Sequence, residues 1–182
     1  MVSRIAILGP AGSGKSTLGD RLSSVLSVPV LHLDYLAYEG NWDQVPAEDF
    51  RRAIQERIGE STSWIVDGNY SEDARITHWP STELFIVLDW PYCVILYRLL
   101  KRTLWRCWDR GPLFPGTQCA ESLRRAFADR ESILLYSLWA WWTGKQQMLV
   151  GKVRQECPAT PVVVVRSQSQ LNALVSTLTK RE

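Results

Sequence analysis

The chain of 182 residues has few of the features that mark secreted, membrane or zinc-binding proteins. Its four cysteines form no C-x-x-C pair and have no metal-ligand spacing, and no signal peptide precedes the first apolar run, which together predict a reduced, cytoplasmic protein. The longest apolar stretches, around 84–100 and 133–142, are interrupted or too short to cross a bilayer, so we expect no membrane partner. No repeat, low-complexity tract or linker divides the chain, which predicts a single domain over 1–182.

The chain also lacks an excess of one charge. Twenty-one Lys and Arg against nineteen Asp and Glu leave a formal net charge of +2, too small to argue for a nucleic-acid partner. The distribution is less even: from Arg98 to Arg130, eight basic residues stand against three acidic ones. Seven of these eight are arginine, the residue suited to bidentate phosphate contacts. A solvated helix surface with ordinary arginines is the alternative interpretation.

A glycine-rich motif near the start of the chain is the most informative feature present. Gly9, four further residues and then Gly14-Lys15-Ser16 match the phosphate-loop pattern G-x-x-x-x-G-K-[ST]. The glycines let backbone N–H groups surround a polyphosphate at a helix N-terminus. Lys15 reaches the terminal phosphates, and the Ser16 hydroxyl takes one position on Mg²⁺. The motif predicts ATP and Mg²⁺ as cofactors, bound by Gly9, Pro10, Ala11, Gly12, Ser13, Gly14, Lys15, Ser16 and Thr17.

Apolar runs and helical patterns alternate along the chain. They predict strands near 3–8, 29–33, 63–67, 83–88 and 161–165, with helices at about 15–27, 47–60, 91–107, within 117–156 and at 168–180. This order predicts a three-layer α/β/α P-loop NTPase fold with a five-stranded parallel sheet. In such sheets ligands bind at the carboxyl ends of the strands, where Asp34, Asp67 and Asp89 fall together with the phosphate loop.

Several stretches resemble known P-loop kinases. The Asp67-Gly68 strand end is similar to that of adenylate kinases, and residues 84–91 with Arg98 and Arg102 resemble their fourth strand and the arginines that lead into the lid. A closer resemblance, from residue 1 to about 102, is to a small bacterial family labelled DNA topology modulation proteins and grouped with adenylate-kinase-related proteins. Its shared features are Gly9-Pro10, His32-Leu33-Asp34, Gly40-Asn41-Trp42, residues 64–70, Leu88-Asp89 and Pro91. The resemblance implies a nucleoside-monophosphate-kinase-like fold, with a short helical lid at about 103–121.

The resemblance also implies roles for two aspartates. Asp67 would hold Mg²⁺ through water beside Ser16, the alternative being a turn-forming aspartate that bonds its own backbone. Asp34 would orient or deprotonate an acceptor hydroxyl, the alternative being a helix N-cap. Where adenylate kinases continue with Phe-Pro-Arg, this chain has Asn69-Tyr70, so it lacks the arginine that would hold an acceptor phosphate.

Four arginines are candidates for the phosphate and nucleotide side of the site. Arg98 and Arg102 are four residues apart, share a helix face and would neutralise charge on the transferring phosphoryl group. Arg110 lies in the expected lid and would swing towards the substrate on closure. Arg166, just after the last strand, and Arg102 would lie near the adenine. Surface salt bridging of little energetic worth is the alternative for each.

Aromatic residues supply the remaining candidates. By resemblance, residues around the acceptor would be Tyr35, Trp42, Gly68, Asn69 and Tyr70, although packing against the 47–60 helix explains the aromatic ones equally well. His32 lies in an apolar strand and is interpreted as a core or edge histidine. The segment 138–142 is apolar nearly all round a helix, which favours core packing first and a homodimer contact second.

Three functional hypotheses follow from these residues. The first is an ATP- and Mg²⁺-dependent phosphotransferase for a small-molecule acceptor, with Lys15, Asp34, Arg98 and Arg102 as catalytic residues. The second is a nucleotide-binding switch or slow ATPase that signals to a partner protein. The third is a DNA-associated protein, as the family label suggests. The nearly even charge and the lack of a basic recognition helix count against the third.

Overall fold

The computed structural model describes residues 2–39, 43–59, 61–69, 72–109 and 132–180. In chain order its strands are β1 (Arg4–Leu8), β2 (Val30–His32), β3 (Tyr38–Glu39), β4 (Asp43–Gln44), β5 (Trp64–Asp67), β6 (Leu84–Leu88) and β7 (Val162–Val165). Five of them form a parallel sheet in the order β2-β5-β1-β6-β7, while β3 and β4 pair as a short antiparallel hairpin. All five predicted sheet strands are confirmed, each ending at the predicted residue or one before it.

The helices of the described residues are α1 (Lys15–Leu26), α2 (Asp34–Ala37), α3 (Ala47–Gly59), α4 (Glu72–His78), α5 (Tyr92–Asp109), α6 (Ile133–Trp142), α7 (Lys145–Glu156) and α8 (Gln168–Thr179). The sequence does not predict α2, α4 or the β3–β4 hairpin, because elements this short show no clear periodicity. The long helical region predicted within 117–156 contains a break after α6, where Gly144 has a φ of 66°. Among the described residues, no helix is long and apolar enough to cross a membrane.

Alternate residues of the central strand enter different parts of the core, as a strand covered on both faces requires. Ile5 and Ile7 pack in a cluster with residues of α1 and α5, whereas Ala6 and Leu8 pack with Trp79 and with Val153 of α7. All four side chains are fully or almost fully buried. The sheet is therefore the middle of three layers, and its strand ends are the places where polar side chains can gather.

At the amino ends of the strands, Glu83 ties β1 to β6. Its carboxylate accepts hydrogen bonds from the Ser3 backbone N–H at 2.8 Å, the Ser3 hydroxyl at 3.2 Å and Arg4 Nη2 at 2.9 Å. The backbone hydrogen bond from Ser3 is the main influence that lowers the pKa of Glu83. The Glu83 carboxylate is therefore engaged by groups of the protein itself.

Candidate functional site

The phosphate loop joins the carboxyl end of β1 to the start of α1, as its motif predicts. Two of its glycines, Gly9 and Gly12, have backbone angles that side chains disfavour and leave no room for a Cβ atom. Gly12 has a φ of 79°, and a Cβ there would lie 2.6 Å from Leu99 Cγ of α5. At Gly9, with a φ of 149°, a Cβ would lie 2.8 Å from the backbone oxygen of Leu88. The loop backbone therefore lies directly against β6 and α5, a position that side chains at these residues would prevent.

Asn69 holds the first glycine of the loop by both ends of its side-chain amide. Asn69 Oδ1 accepts a hydrogen bond from the Gly9 N–H at 3.0 Å, and Asn69 Nδ2 donates to the Gly9 carbonyl at 2.5 Å. Resemblance gave Asn69 a place around the acceptor, but these bonds direct its amide to the loop backbone. The contact makes Asn69 a support of the loop.

Arg98 holds the other end of the loop. Arg98 Nη1 donates to the Ser13 carbonyl at 3.3 Å, and its guanidinium lies over the Trp90 ring, 4.4 Å from the ring centre. Because the C=O and N–H of a planar trans peptide point in opposite directions, fixing the Ser13 carbonyl also fixes the direction of the Gly14 N–H. The Arg98 side chain therefore contacts the backbone of the loop.

The buried polar atoms at this edge of the sheet that have no hydrogen-bond partner among the described residues include Ser13 Oγ and Asp67 Oδ2. Ser13 is 1% exposed and Asp67 is 2% exposed. Buried polar atoms are nearly always paired in proteins, so such atoms beside a glycine-rich loop point to a ligand. A polyphosphate with its divalent cation fits both, since Ser13 Oγ can donate to phosphate and Asp67 Oδ2 can accept from a cation-bound water.

Lys15 lies near the charged residues that the sequence predicts for the site, Asp34, Asp67 and Arg102. Its Nζ donates to the Pro10 carbonyl at 3.2 Å, within the loop. Burial lowers the pKa of Lys15 and is the largest influence; Arg102 lowers this pKa as well, while Asp34 and Asp67 raise it. The structure thus brings Lys15, Asp34, Asp67 and Arg102 into one electrostatic group, which a negatively charged phosphate would join.

Asp34 is in the first turn of α2, and the N-cap position belongs to Leu33. The N-cap interpretation of Asp34 is therefore wrong. Its side chain is exposed, at the same edge of the sheet as the phosphate loop. An exposed carboxylate in this place is accessible to a hydroxyl of a second substrate.

His32 links two carboxylates. Its Nε2 is 3.1 Å from Asp20 Oδ1, and its Nδ1 is 3.1 Å from Asp67 Oδ1. Hydrogen bonding to Asp67 is the largest influence that raises the pKa of His32, and burial opposes it. His32 is 9% exposed, in line with the core interpretation, but it also directs one oxygen of Asp67 and leaves the other for a ligand. The sequence held a signal for Asp20, which follows Ser16 by four residues and so lies on the same face of α1.

Tyr35 lies beside His32 and is 45% exposed, with its ring centre 4.9 Å from that of His32. Burial first, and then the charges of Asp20, Asp67 and Asp34, raise the pKa of Tyr35, whereas Arg106 lowers it. The charge of Arg106 therefore also acts at Tyr35. Three predicted acceptor or lid residues lie outside the described residues: Trp42, Tyr70 and Arg110. Of the lid predicted at 103–121, residues 110–121 also lie outside the described residues, and residues 103–109 form the end of α5.

A cavity of about 280 Å³ adjoins the loop at the carboxyl ends of β6 and β7. Its lining is formed by Asp89, Trp90, Pro91, Tyr92, Ile95, Trp141 and Arg166. Arg166 Nε donates to Asp89 Oδ2 at 2.9 Å, which joins the ends of the two strands. Ile95 also borders the loop, since a Cβ on Gly12 would lie 3.3 Å from its backbone oxygen. Arg166 therefore lines a partly aromatic cavity next to the phosphate loop.

Comparison with known proteins shows a likeness in structure without one in sequence. No protein-family model and no curated protein matches the chain. The chain is similar to a sugar kinase from a Janibacter species at 17% identity, with a TM-score of 0.50 over 100% of this chain and 92% of that one. It is also similar to shikimate kinase from Bacteroides thetaiotaomicron at 15% identity, with a TM-score of 0.50 over 100% and 98% of the two chains.

These likenesses define the fold. The three-layer α/β/α P-loop fold with its five-stranded parallel sheet, as predicted from the sequence, is confirmed by the strand order and by the two kinase structures. At such low identities the likeness extends to the fold alone. The resemblance to DNA topology modulation proteins stays a prediction.

Proposed function

We propose that this protein is an ATP- and Mg²⁺-dependent phosphotransferase that acts on a small-molecule acceptor, within a single domain. The observation that carries the proposal is the grouping of Lys15, Asp34, Asp67 and Arg102 at a phosphate loop whose glycines lie directly against β6 and α5. Both solved structures reported above are named as small-molecule kinases, which supports the same class of reaction.

The phosphate loop binds the nucleotide phosphates in this proposal. Backbone N–H groups of the loop and the Ser13 hydroxyl donate to phosphate oxygens, and Lys15 exchanges the Pro10 carbonyl for the terminal phosphates. The Ser16 hydroxyl and, through water, Asp67 would hold Mg²⁺, which screens negative charge on the phosphates. Asn69 and Arg98 keep the loop in shape, so little reorganisation accompanies binding.

On the acceptor side, Asp34 orients a hydroxyl for in-line attack and accepts its proton. Arg102, whose charge acts on Lys15, neutralises charge on the transferring phosphoryl group. Tyr35 and Gly68 flank the acceptor, together with the predicted contacts Trp42, Tyr70 and Arg110. The nucleobase occupies the cavity beside Arg166, whose lining includes aromatic side chains.

ADP release from the purified protein, measured over a panel of sugars, nucleosides, nucleoside monophosphates and other small alcohols, tests the proposal. We expect at least one compound to stimulate ADP release, and we expect Asp34→Asn to abolish that stimulation while MgATP binding persists. Glu39→Gln, another exposed carboxylate nearby in the chain, is the matched control and should behave as the unchanged protein. Slow ATP hydrolysis that no compound stimulates and that Asp34→Asn leaves unchanged would favour the nucleotide switch instead.

A further inference from the structure

Helix α6 carries a row of large apolar side chains that the fold leaves exposed. Leu135, Leu138, Trp139 and Trp142 are 51%, 47%, 53% and 82% exposed. Their spacing of three, four and seven residues places them on one helix face, which we call the α6 stripe. The first interpretation of this segment as core is therefore wrong for the stripe.

The packing of α6 against the rest of the protein uses a different face. Leu134 and Ser137 are buried, and Trp141 stacks on Tyr92 of α5 with ring centres 4.8 Å apart and an interplanar angle of 18°. These three positions, 134, 137 and 141, follow the same helical spacing as the stripe but about a third of a turn away. The helix is thus already anchored, and the stripe is an additional apolar surface that core packing does not explain.

We propose that the α6 stripe is the contact surface between two copies of this chain, related by a twofold axis. Area is the first argument. The exposed parts of the four side chains amount to on the order of 500 Å² per copy, given aromatic side chains of about 150–250 Å² each. Pairing two stripes would bury about 1,000 Å² in total, which reaches the lower limit of specific interfaces.

Charge is the second argument. Residues 132–144 contain no Asp, Glu, Lys, Arg or His. A twofold axis places a surface against itself, so a helix face with no charged residue of its own brings no like charges together except where Lys145 borders Trp139. Interfaces between identical chains are also depleted of charge at their centre, as this stripe is. A helix that binds a lipid surface, by contrast, carries Lys and Arg beside its apolar face.

The edge of the stripe has the polar character expected of an interface rim. Lys145 donates to the Tyr136 hydroxyl at 3.0 Å. Its Nζ is also 5.2 Å from the ring centres of both Tyr136 and Trp139. Lys145 is exposed, so its charge keeps access to water at the border of the apolar face.

Sedimentation velocity of the full chain over the micromolar range tests this proposal. We expect a dimer whose dissociation constant rises at least about tenfold in Leu138→Lys and in Trp142→Lys, because each variant would place a charge within the apolar contact. Ile76→Lys, at a residue of α4 that is 56% exposed, is the matched control and should leave the dimer intact. Both stripe residues are exposed in one copy. At concentrations where the unchanged chain is monomeric, the variants should therefore melt at nearly the same temperature as that chain, which separates loss of the dimer from loss of the fold.

Other occupants of the stripe give other results. A chain that is monomeric throughout this range, or a dimer that both stripe variants leave unchanged, overturns the proposal. Monomers destabilised by Leu138→Lys would indicate that another part of the same chain covers the stripe. Binding of a monomeric chain to vesicles of phosphatidylcholine and phosphatidylserine, lost in Trp142→Lys, would indicate a lipid surface. The dimer does not depend on ATP or on an acceptor, so this test and that of the phosphotransferase proposal can fail separately.

Discussion

The two edges of the central sheet differ in whether their polar side chains have hydrogen-bond partners within the protein. At the amino edge, the Glu83 carboxylate accepts hydrogen bonds from Ser3 and Arg4, at distances from 2.8 to 3.4 Å. At the carboxyl edge, Ser13 Oγ and Asp67 Oδ2 are buried with no hydrogen-bond partner in the described part of the chain. At the amino edge the carboxylate is engaged by groups of the protein, whereas the carboxyl edge keeps a buried hydroxyl and a buried carboxylate oxygen that a ligand can satisfy.

The difference separates stability from function within one sheet. Buried polar groups that are paired contribute to the folded state, whereas unpaired ones carry a desolvation cost of about 1–3 kcal/mol each. A fold retains such groups where a ligand satisfies them, and strand carboxyl ends are the usual ligand side of parallel sheets. Substitutions at the carboxyl edge should therefore weaken nucleotide binding, whereas substitutions at the amino edge should lower the stability of the fold.

The largest effect is expected from Lys15→Ala. Loss of a charged hydrogen bond to phosphate should weaken MgATP binding by about 10- to 100-fold, as measured by isothermal titration calorimetry. The melting temperature should stay close to that of the unchanged protein, because within the described residues Lys15 Nζ donates a hydrogen bond only to the Pro10 carbonyl. Lys101→Ala, at an exposed residue of α5, is the control. Equal MgATP affinity in the two variants would contradict the assignment of the loop.

A smaller effect is expected from Asn69→Ala, which removes both hydrogen bonds to Gly9. The loop should lose part of its preformed shape, and MgATP affinity should fall by about fivefold, corresponding to a net cost of about 1 kcal/mol. Asn172→Ala, at an exposed residue of α8, provides a matched amide control. If Asn69 instead binds the acceptor, the variant will raise the KM for the acceptor and leave MgATP affinity unchanged.

The smallest effect is expected from Glu83→Gln at the amino edge. This variant should change the stability of the fold and leave MgATP affinity unchanged. The pKa of Glu83 is lowered from its ordinary value of 4.5, so the ionised carboxylate stabilises the folded state above that value. This contribution is lost as the pH falls through the lowered pKa. Urea unfolding should show the variant less stable than the unchanged protein at pH 7, with a difference that shrinks in acid. A difference that grows in acid, or a loss of MgATP affinity at pH 7, would contradict the division between the edges.

Local patterns in the sequence were sufficient for the sheet and the loop. The apolar runs that became β1, β5 and β6 are continuous, and the phosphate loop has a fixed spacing, so both could be read within short windows. The partners of the loop could not be predicted in this way. Asn69 and Arg98 contact it from 60 and 85 residues away in sequence, and only the tertiary structure brings them there.

The same limit applies to His32 and to α6. A histidine in an apolar strand is usually a core residue, and its contacts with Asp20 and Asp67 depend on how α1 and β5 pack around β2. Composition marked the aromatic helix as apolar on all sides, but it did not show which side the fold buries. That information comes from the position of α6 against α5, where Trp141 meets Tyr92.

The most direct test of the account is a titration of the isotope-labelled protein with MgATP, followed through its backbone amide resonances by NMR. We expect the largest shifts at Gly9, Gly12, Gly14 and Lys15, smaller shifts at Asp67 and Asn69, and almost none at Ser3, Arg4 and Glu83. The carboxyl edge would then be the nucleotide site. Saturating MgATP that leaves the loop resonances unmoved, or that shifts the amino edge more than the loop, would contradict it.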